Sequence, residues 1–150
     1  MAVAAPVHRV WSALTDWARQ GEWMLGTTVR PTSGDGQGVG GGIEAFTGIG
    51  RLGVLDVMEI TVWDPPHRCH VLHVGRLLRG TGEFEVAPHE GGSIVRWRED
   101  LRLPLGGLGR AAWWVVGPLA RYGVRRSLRA FARQLEGNGP SQPPRGQDAG

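Results

Sequence analysis

The stretch AAPVHRVWSALTDW, Ala4 to Trp17, constrains the fold more than any other part of this chain. It reads as a short extended lead-in, a proline and one amphipathic helix. Pro6 supplies the fixed φ that suits a first helical turn, and Val7, Val10, Trp11 and Leu14 recur at helical spacing on one face. Thr15 and Asp16 end that helix and can cap a second short one running through Trp23.

The pattern then changes. Thr27 to Pro31 predicts a short strand, and Thr32 to Gly42, rich in Gly, Ser and Asp, a flexible loop. Strands are predicted at Ile43 to Thr47, Val54 to Trp63, Cys69 to Val74, Glu83 to Ala87 and Ile94 to Leu103, separated by Gly, Pro or charged turns. That spacing describes an antiparallel meander. In WDPPHR, Trp63 to Arg68, Asp64 can bond to the backbone, while Pro65 and Pro66 forbid helix and remove ladder donors. HEGGS, His89 to Ser93, predicts another hairpin. The 25 Gly and 10 Pro fit many turns and exclude an all-helical bundle.

From about Leu105 a long helix is predicted, with Leu108, Ala112, Val115, Leu119 and Tyr122 on one stripe. Val124, Leu128, Phe131 and Leu135 continue it after a slip of phase, and Pro118 is expected to kink it. The segment 137–150 has no large apolar residue with which to offset its ordering entropy and is predicted to be a disordered tail behind one domain, 1–136.

A domain of this size buries roughly two thirds of its unfolded surface without disulfide or metal. Cys69 is the lone cysteine, which excludes an internal disulfide and a multi-cysteine zinc site and fits a free buried thiol in a reducing cytosol. All 17 basic residues are Arg, so no lysine is present to act as Schiff base or general base. The longest mainly apolar stretch, Ala111 to Ala120, is half of the about 20 residues a membrane span needs, and no basic-then-apolar leader opens the chain. A cytoplasmic protein is expected. Net charge is +3, but residues 1–103 carry 10 Arg against 12 acids and residues 104–136 carry 6 Arg against 1. The positive charge belongs to the last helix.

The lead-in AAPVHRVWSALTDW, the WDPPHR turn, the GTGEFEV strand at Gly80 to Val86 and the long last helix together resemble the START-like SRPBCC superfamily, in its polyketide cyclase/dehydrase-like branch. The resemblance covers about Ala4 to Leu135. It implies an α+β helix-grip fold, in which a curved antiparallel sheet wraps around the long C-terminal helix, with two short N-terminal helices and an apolar cavity. The superfamily holds lipid carriers, hormone receptors, aromatases and cyclases, so its fold does not fix an activity. Its members usually begin with a full strand where this chain has only Met1 to Ala5 before Pro6, so either the edge strand is short or the true start lies upstream.

Strand parity assigns the inward side chains. Met58 and Ile60 share a face with Val54, Asp56 and Val62; Val71 with Cys69 and His73; Phe84 with Gly82 and Val86; Trp97 with Val95, Glu99 and Leu101. If each apolar set faces inward, Asp56, His73 and Glu99 are the polar groups of the interior. Such groups in an apolar pocket have shifted pKa values and can move protons. For each, a structural role is the favoured reading: Asp56 near a strand end in water, His73 at a rim, Glu99 paired with a neighbouring Arg. Convergence of all three would say more than any one. The expected ligand-binding residues are Trp23, Met58, Ile60, Val71, Phe84, Trp97, Trp113 and Leu119, around a hydrophobic or aromatic small molecule of lipid or polyketide-like kind. A cyclase/dehydrase-type enzyme using one of the three polar groups is the alternative, and no residue is committed as catalytic.

His67, His70 and His73 do not make a metal site in a strand, because His70 faces away from the other two and His67 and His73 are about 20 Å apart; neither metal nor cofactor is expected. Gly36, Gly38 and Gly41 match GxGxxG, but an extended segment follows where a dinucleotide site needs a helix. In the resembled fold this loop lies near a cavity entrance. Arg121, Arg125, Arg129 and Arg133 repeat every four residues, joined by Arg126, and a solvated face is the default reading. No nucleic-acid module accompanies them. Trp113 and Trp114 could touch a membrane, but the preferred reading is that Trp113, Val116 or their neighbours line core or cavity, and the protein is read as monomer or homodimer.

Overall fold

The computed structural model describes residues 1–102 and 106–137, and along 106–120 the side chains of Trp114, Gly117 and Pro118 alone. Strand β1 (Ala2–Val3) leads into helix α1 (Val7–Leu14) and a 3₁₀ helix (Trp17–Glu22). Six strands follow: β2 (Thr27–Ser33), β3 (Gly42–Ile49), β4 (Leu52–Asp64), β5 (Arg68–His73), β6 (Arg79–His89) and β7 (Gly92–Arg102). Helix α2 (Gly106–Gly137) closes the chain. The strands form one curved antiparallel sheet in the order β1-β7-β6-β5-β4-β3-β2.

The short lead-in is a real strand. Ala2 pairs with Ile94 and Val3 with Ser93, and the Val95 N–H donates to the Met1 carbonyl. Pro6 stands just outside α1 as its N-cap, one position before the expected first turn. Val10, Trp11 and Leu14 bury as their spacing predicts. Thr15 ends the helix, and Asp16 caps the 3₁₀ helix by accepting from the Arg19 N–H. In the WDPPHR turn the Asp64 carbonyl accepts the His67 N–H at 2.8 Å, while the Asp64 carboxylate faces Arg68 at 3.7 Å in place of the backbone.

One irregularity redirects the core. The β4–β5 register shifts between Ile60 and Val62, a bulge that inserts an extra residue. Beyond it Trp63, not Val62, shares the inner face, opposite Cys69. Trp63 stacks edge-on against Trp11 at 5.1 Å and tilts over Trp17 at 6.4 Å. From Trp11 the aromatic contacts run on through Phe84 and Trp97 to Trp23, and end on Phe131 of α2. This chain of rings ties both N-terminal helices and three strands to the last helix.

The α2 stripe also departs from expectation. Ser127, Phe131 and Leu135 are buried, whereas Tyr122 and Val124 are exposed. Ser127 is suited to a core position because its Oγ accepts the Leu25 N–H at 3.0 Å. Pro118 lies inside a helix that runs unbroken across it. The side chains of Leu108, Ala112 and Val115 lie outside the described ones, and of the predicted tail at 137–150 only Gly137, the last residue of α2, is among the described residues. Among the described residues no helix is long and apolar enough to cross a membrane.

The glycine-rich segment is held, not loose. Gly40 and Gly41 exchange backbone bonds with Ile60 at 2.8 and 2.9 Å, and the Gly36 carbonyl accepts from Trp17 Nε1 at 2.8 Å. Gly36 has φ +70° and lies so close to Ile43, Pro31 and Trp17 that a Cβ would meet them at 2.9–3.0 Å.

Candidate functional site

A cavity of about 480 Å³ opens on the inner face of the sheet beside the 3₁₀ helix. Of the expected ligand-binding residues, Met58, Val71, Phe84 and Trp97 line it. Trp23 and Ile60 do not: Trp23 is buried between Trp97 and Phe131, and Ile60 is wholly buried in the core. Trp113 and Leu119 lie outside the residues whose side chains are described. The glycine loop, expected at the entrance, supplies no described lining residue. Several lining residues were missed. Val29, Ile43 and Ala45 obey the same alternation on β2 and β3 and could have been found by parity; Leu77 and Leu78 sit in the irregular β5–β6 connection, where no periodic signal exists.

Asp56, His73 and Glu99 all line the cavity, and they meet. His73 Nδ1 lies 2.8 and 3.0 Å from the two Asp56 oxygens, and His73 Nε2 lies 3.3 Å from Glu99 Oε2. Glu99 in turn accepts from Trp97 Nε1 at 2.7 Å. The register explains the meeting. Met58 pairs with His73, which puts Asp56 diagonally across from the imidazole, while His73 on β5 and Glu99 on β7 are separated by the whole of β6. Two strand spacings amount to about 9.6 Å. The β6 residue between them is Gly82, paired with Val71 on one side and Glu99 on the other, and its lack of a side chain lets imidazole and carboxylate meet above it. A Cβ there would stand 3.0 Å from His73 Nε2 and 3.4 Å from Glu99 Oε1.

His73 is only 4% exposed. Burial alone would lower its pKa, but the hydrogen bond to Asp56 and the nearby negative charges of Asp56 and Glu99 outweigh that and push it up to about 9. The ring is therefore an imidazolium at neutral pH. Its Nδ1–H is taken by Asp56, whereas Nε2 is close to Glu99 without being aligned to it as a hydrogen bond, and has no hydrogen-bond partner among the described residues. Among the described ion pairs none joins Glu99 to an arginine; Arg98 pairs with Glu83 instead.

The other candidates lie elsewhere. His70 faces away from His73 and lies 3.5 Å from Glu83, and His67 Nδ1 contacts the Val86 carbonyl. Among the described residues no group of three or more His, Cys, Asp or Glu is arranged to hold a metal ion. Cys69 is buried, with its thiol pushed up to about 12 by burial, so it packs as an inert small hydrophobe. The arginines Arg121, Arg125, Arg126, Arg129 and Arg133 lie on exposed or partly exposed turns of α2, away from the described cavity lining.

A curved antiparallel sheet with a long C-terminal helix, two short N-terminal helices and an apolar cavity on its inner face defines a helix-grip protein. Within that class the chain belongs to the family described as polyketide cyclase / dehydrase and lipid transport, whose model matches residues 1–138. Solved structures share the fold at low identity. A Thermus thermophilus protein superposes with TM-score 0.76 at 16% identity, over 91% of this chain and 94% of its own. A Streptomyces aromatase/cyclase gives 0.71 at 15%, over 89% and 88%, and a Rhodobacter sphaeroides protein 0.70 at 20%, over 91% and 88%. No curated protein matches in sequence.

Proposed function

We propose that this protein binds a hydrophobic or aromatic small molecule in its inner cavity and orients it by the Asp56–His73–Glu99 cluster. The observation that carries this reading is a roomy, mainly apolar cavity with Asp56, His73 and Glu99 gathered at one place on the wall. Apolar walls supply the transfer free energy, and a single polar cluster fixes which end of the ligand goes in first. Family membership agrees with it. Native mass spectrometry of the protein purified from its own cells tests the reading. A discrete small-molecule adduct is expected, and a cavity-filling Val71→Trp variant that folds should lose it. A protein without adduct, or a variant that keeps it, would speak against cavity binding.

The convergence of the three polar groups favours a second reading, a cyclase/dehydrase-type enzyme. In a β-hydroxy carbonyl substrate, the Glu99 carboxylate would take the α-proton while the His73 imidazolium gives its Nε2 proton to the departing hydroxyl, which leaves as water as the double bond forms. The proton on Glu99 then returns to His73 across 3.3 Å, with Asp56 holding the ring. Product formation lost in His73→Gln and retained binding of substrate would identify the enzyme. Binding without turnover would leave the carrier.

A further inference from the structure

The donors in the cavity wall are nearly all spoken for. Gln20 Nε2 donates to the Leu14 carbonyl, the Thr27 and Thr47 hydroxyls bond each other, Trp17 Nε1 donates to Gly36, and Trp97 Nε1 donates to Glu99. On His73, Nδ1 serves Asp56. Among the described side chains that line the cavity, His73 Nε2 is the buried nitrogen without a hydrogen-bond partner, beside the lone pairs of Glu99 Oε2 at 3.3 Å. Gly82 leaves open the space on which both border, since a Cβ there would crowd Nε2 and Glu99 Oε1 together with Val71.

We infer that this donor–acceptor pair, floored by Gly82, is a hydroxyl-recognition subsite, and that the ligand is a hydrophobic molecule carrying an alcohol or phenol. The inference rests on the cavity-binding reading and narrows it. A hydroxyl can accept from Nε2–H and donate to Glu99 through one oxygen. A carboxylate would bring a third carboxylate against Asp56 and Glu99 around a single imidazolium, and no arginine lines the described cavity to offset it. An ammonium would set donors against the Nε2–H donor. An ether or ketone would use the histidine and leave Glu99 unengaged.

A matched series titrated into the full chain by calorimetry tests this: naphthol, methoxynaphthalene, methylnaphthalene and naphthoate. Naphthol should bind roughly tenfold or more tightly than methylnaphthalene, the size expected for a charge-assisted hydrogen bond gained on binding. Methoxynaphthalene should fall between them and naphthoate below all. In Gly82→Ala, with folding checked by circular dichroism, the preference for naphthol over methylnaphthalene should vanish. Equal affinity for naphthol and methoxynaphthalene, or tighter binding of naphthoate, would overturn the subsite while leaving cavity binding intact. Failure of all four to bind would count against cavity binding itself. The ligand series decides in the unmodified protein, so it does not depend on the variant folding.

Discussion

The same four strands build two unlike ends of one sheet face. Near α1, Trp63, Cys69, Phe84 and Val95 pack against Val10, Trp11 and Leu14. Further along, β4 contributes Asp56 and Met58, β5 His73, β6 Gly82 and β7 Glu99 to a cavity wall. The first end is filled because an eight-residue helix lies over it and the β4 bulge turns Trp63 inward. α1 stops at Thr15, and past that point the wall has Gly82 between His73 and Glu99 where a larger side chain would close the space. Charges are tolerated there because each has a partner within reach. One end supplies cohesion, and the other is arranged for a guest.

The sharpest way to break this contrast is truncation at the packed end. Trp11→Ala should cost about 3–5 kcal/mol, since it removes a ring in contact with both Trp63 and Phe84. Urea unfolding monitored by circular dichroism measures it. A loss under about 1 kcal/mol would mean the two ends are not differently packed.

Next in size is a pH effect specific to the cavity. His73 has its pKa raised from 6.5 to about 9 in the folded protein, so its contribution to stability is full below about pH 6.5 and is lost as pH rises through 9. The amount at stake is on the order of 3 kcal/mol. Unfolding free energies at pH 6 and pH 9.5 should differ in that direction, and Asp56→Asn should shrink the difference. A smaller effect is expected for Met58→Ala, about 1 kcal/mol, because Met58 is only partly buried and already borders open volume. Its larger consequence should be on ligand affinity. Smallest of all, Arg125→Gln on the exposed face of α2 should change stability by no more than about 0.5 kcal/mol in thermal unfolding.

The contrast also marks how far the sequence could be read. Helix α1 and its inward Val10, Trp11 and Leu14 were visible because helical spacing needs no knowledge of partners. Asp56, His73 and Glu99 were visible as one set because each lies in a stretch of strand where alternation is unbroken. The bulge at Ile60 carries no glycine or proline to announce it, so parity assigned Val62 the place that Trp63 holds. The glycine loop had the composition of a mobile segment, yet its bonds to Ile60 and Trp17 depend on partners distant in sequence. Ser127 was not on the predicted stripe, and its burial rests on the Leu25 N–H, a partner about a hundred residues away in sequence. Gly82 was placed on the inner face, but its importance lies in separating His73 from Glu99, a fact of cross-strand register that no single strand displays.

The central claim is that Asp56, His73 and Glu99 act as one charged unit in an apolar cavity. A nuclear magnetic resonance titration of the His73 ring tests it most directly. The account predicts a pKa of about 9, falling when Asp56 is replaced by Asn. A value at or below the ordinary 6.5 would mean that burial outweighs the two carboxylates, and would contradict it.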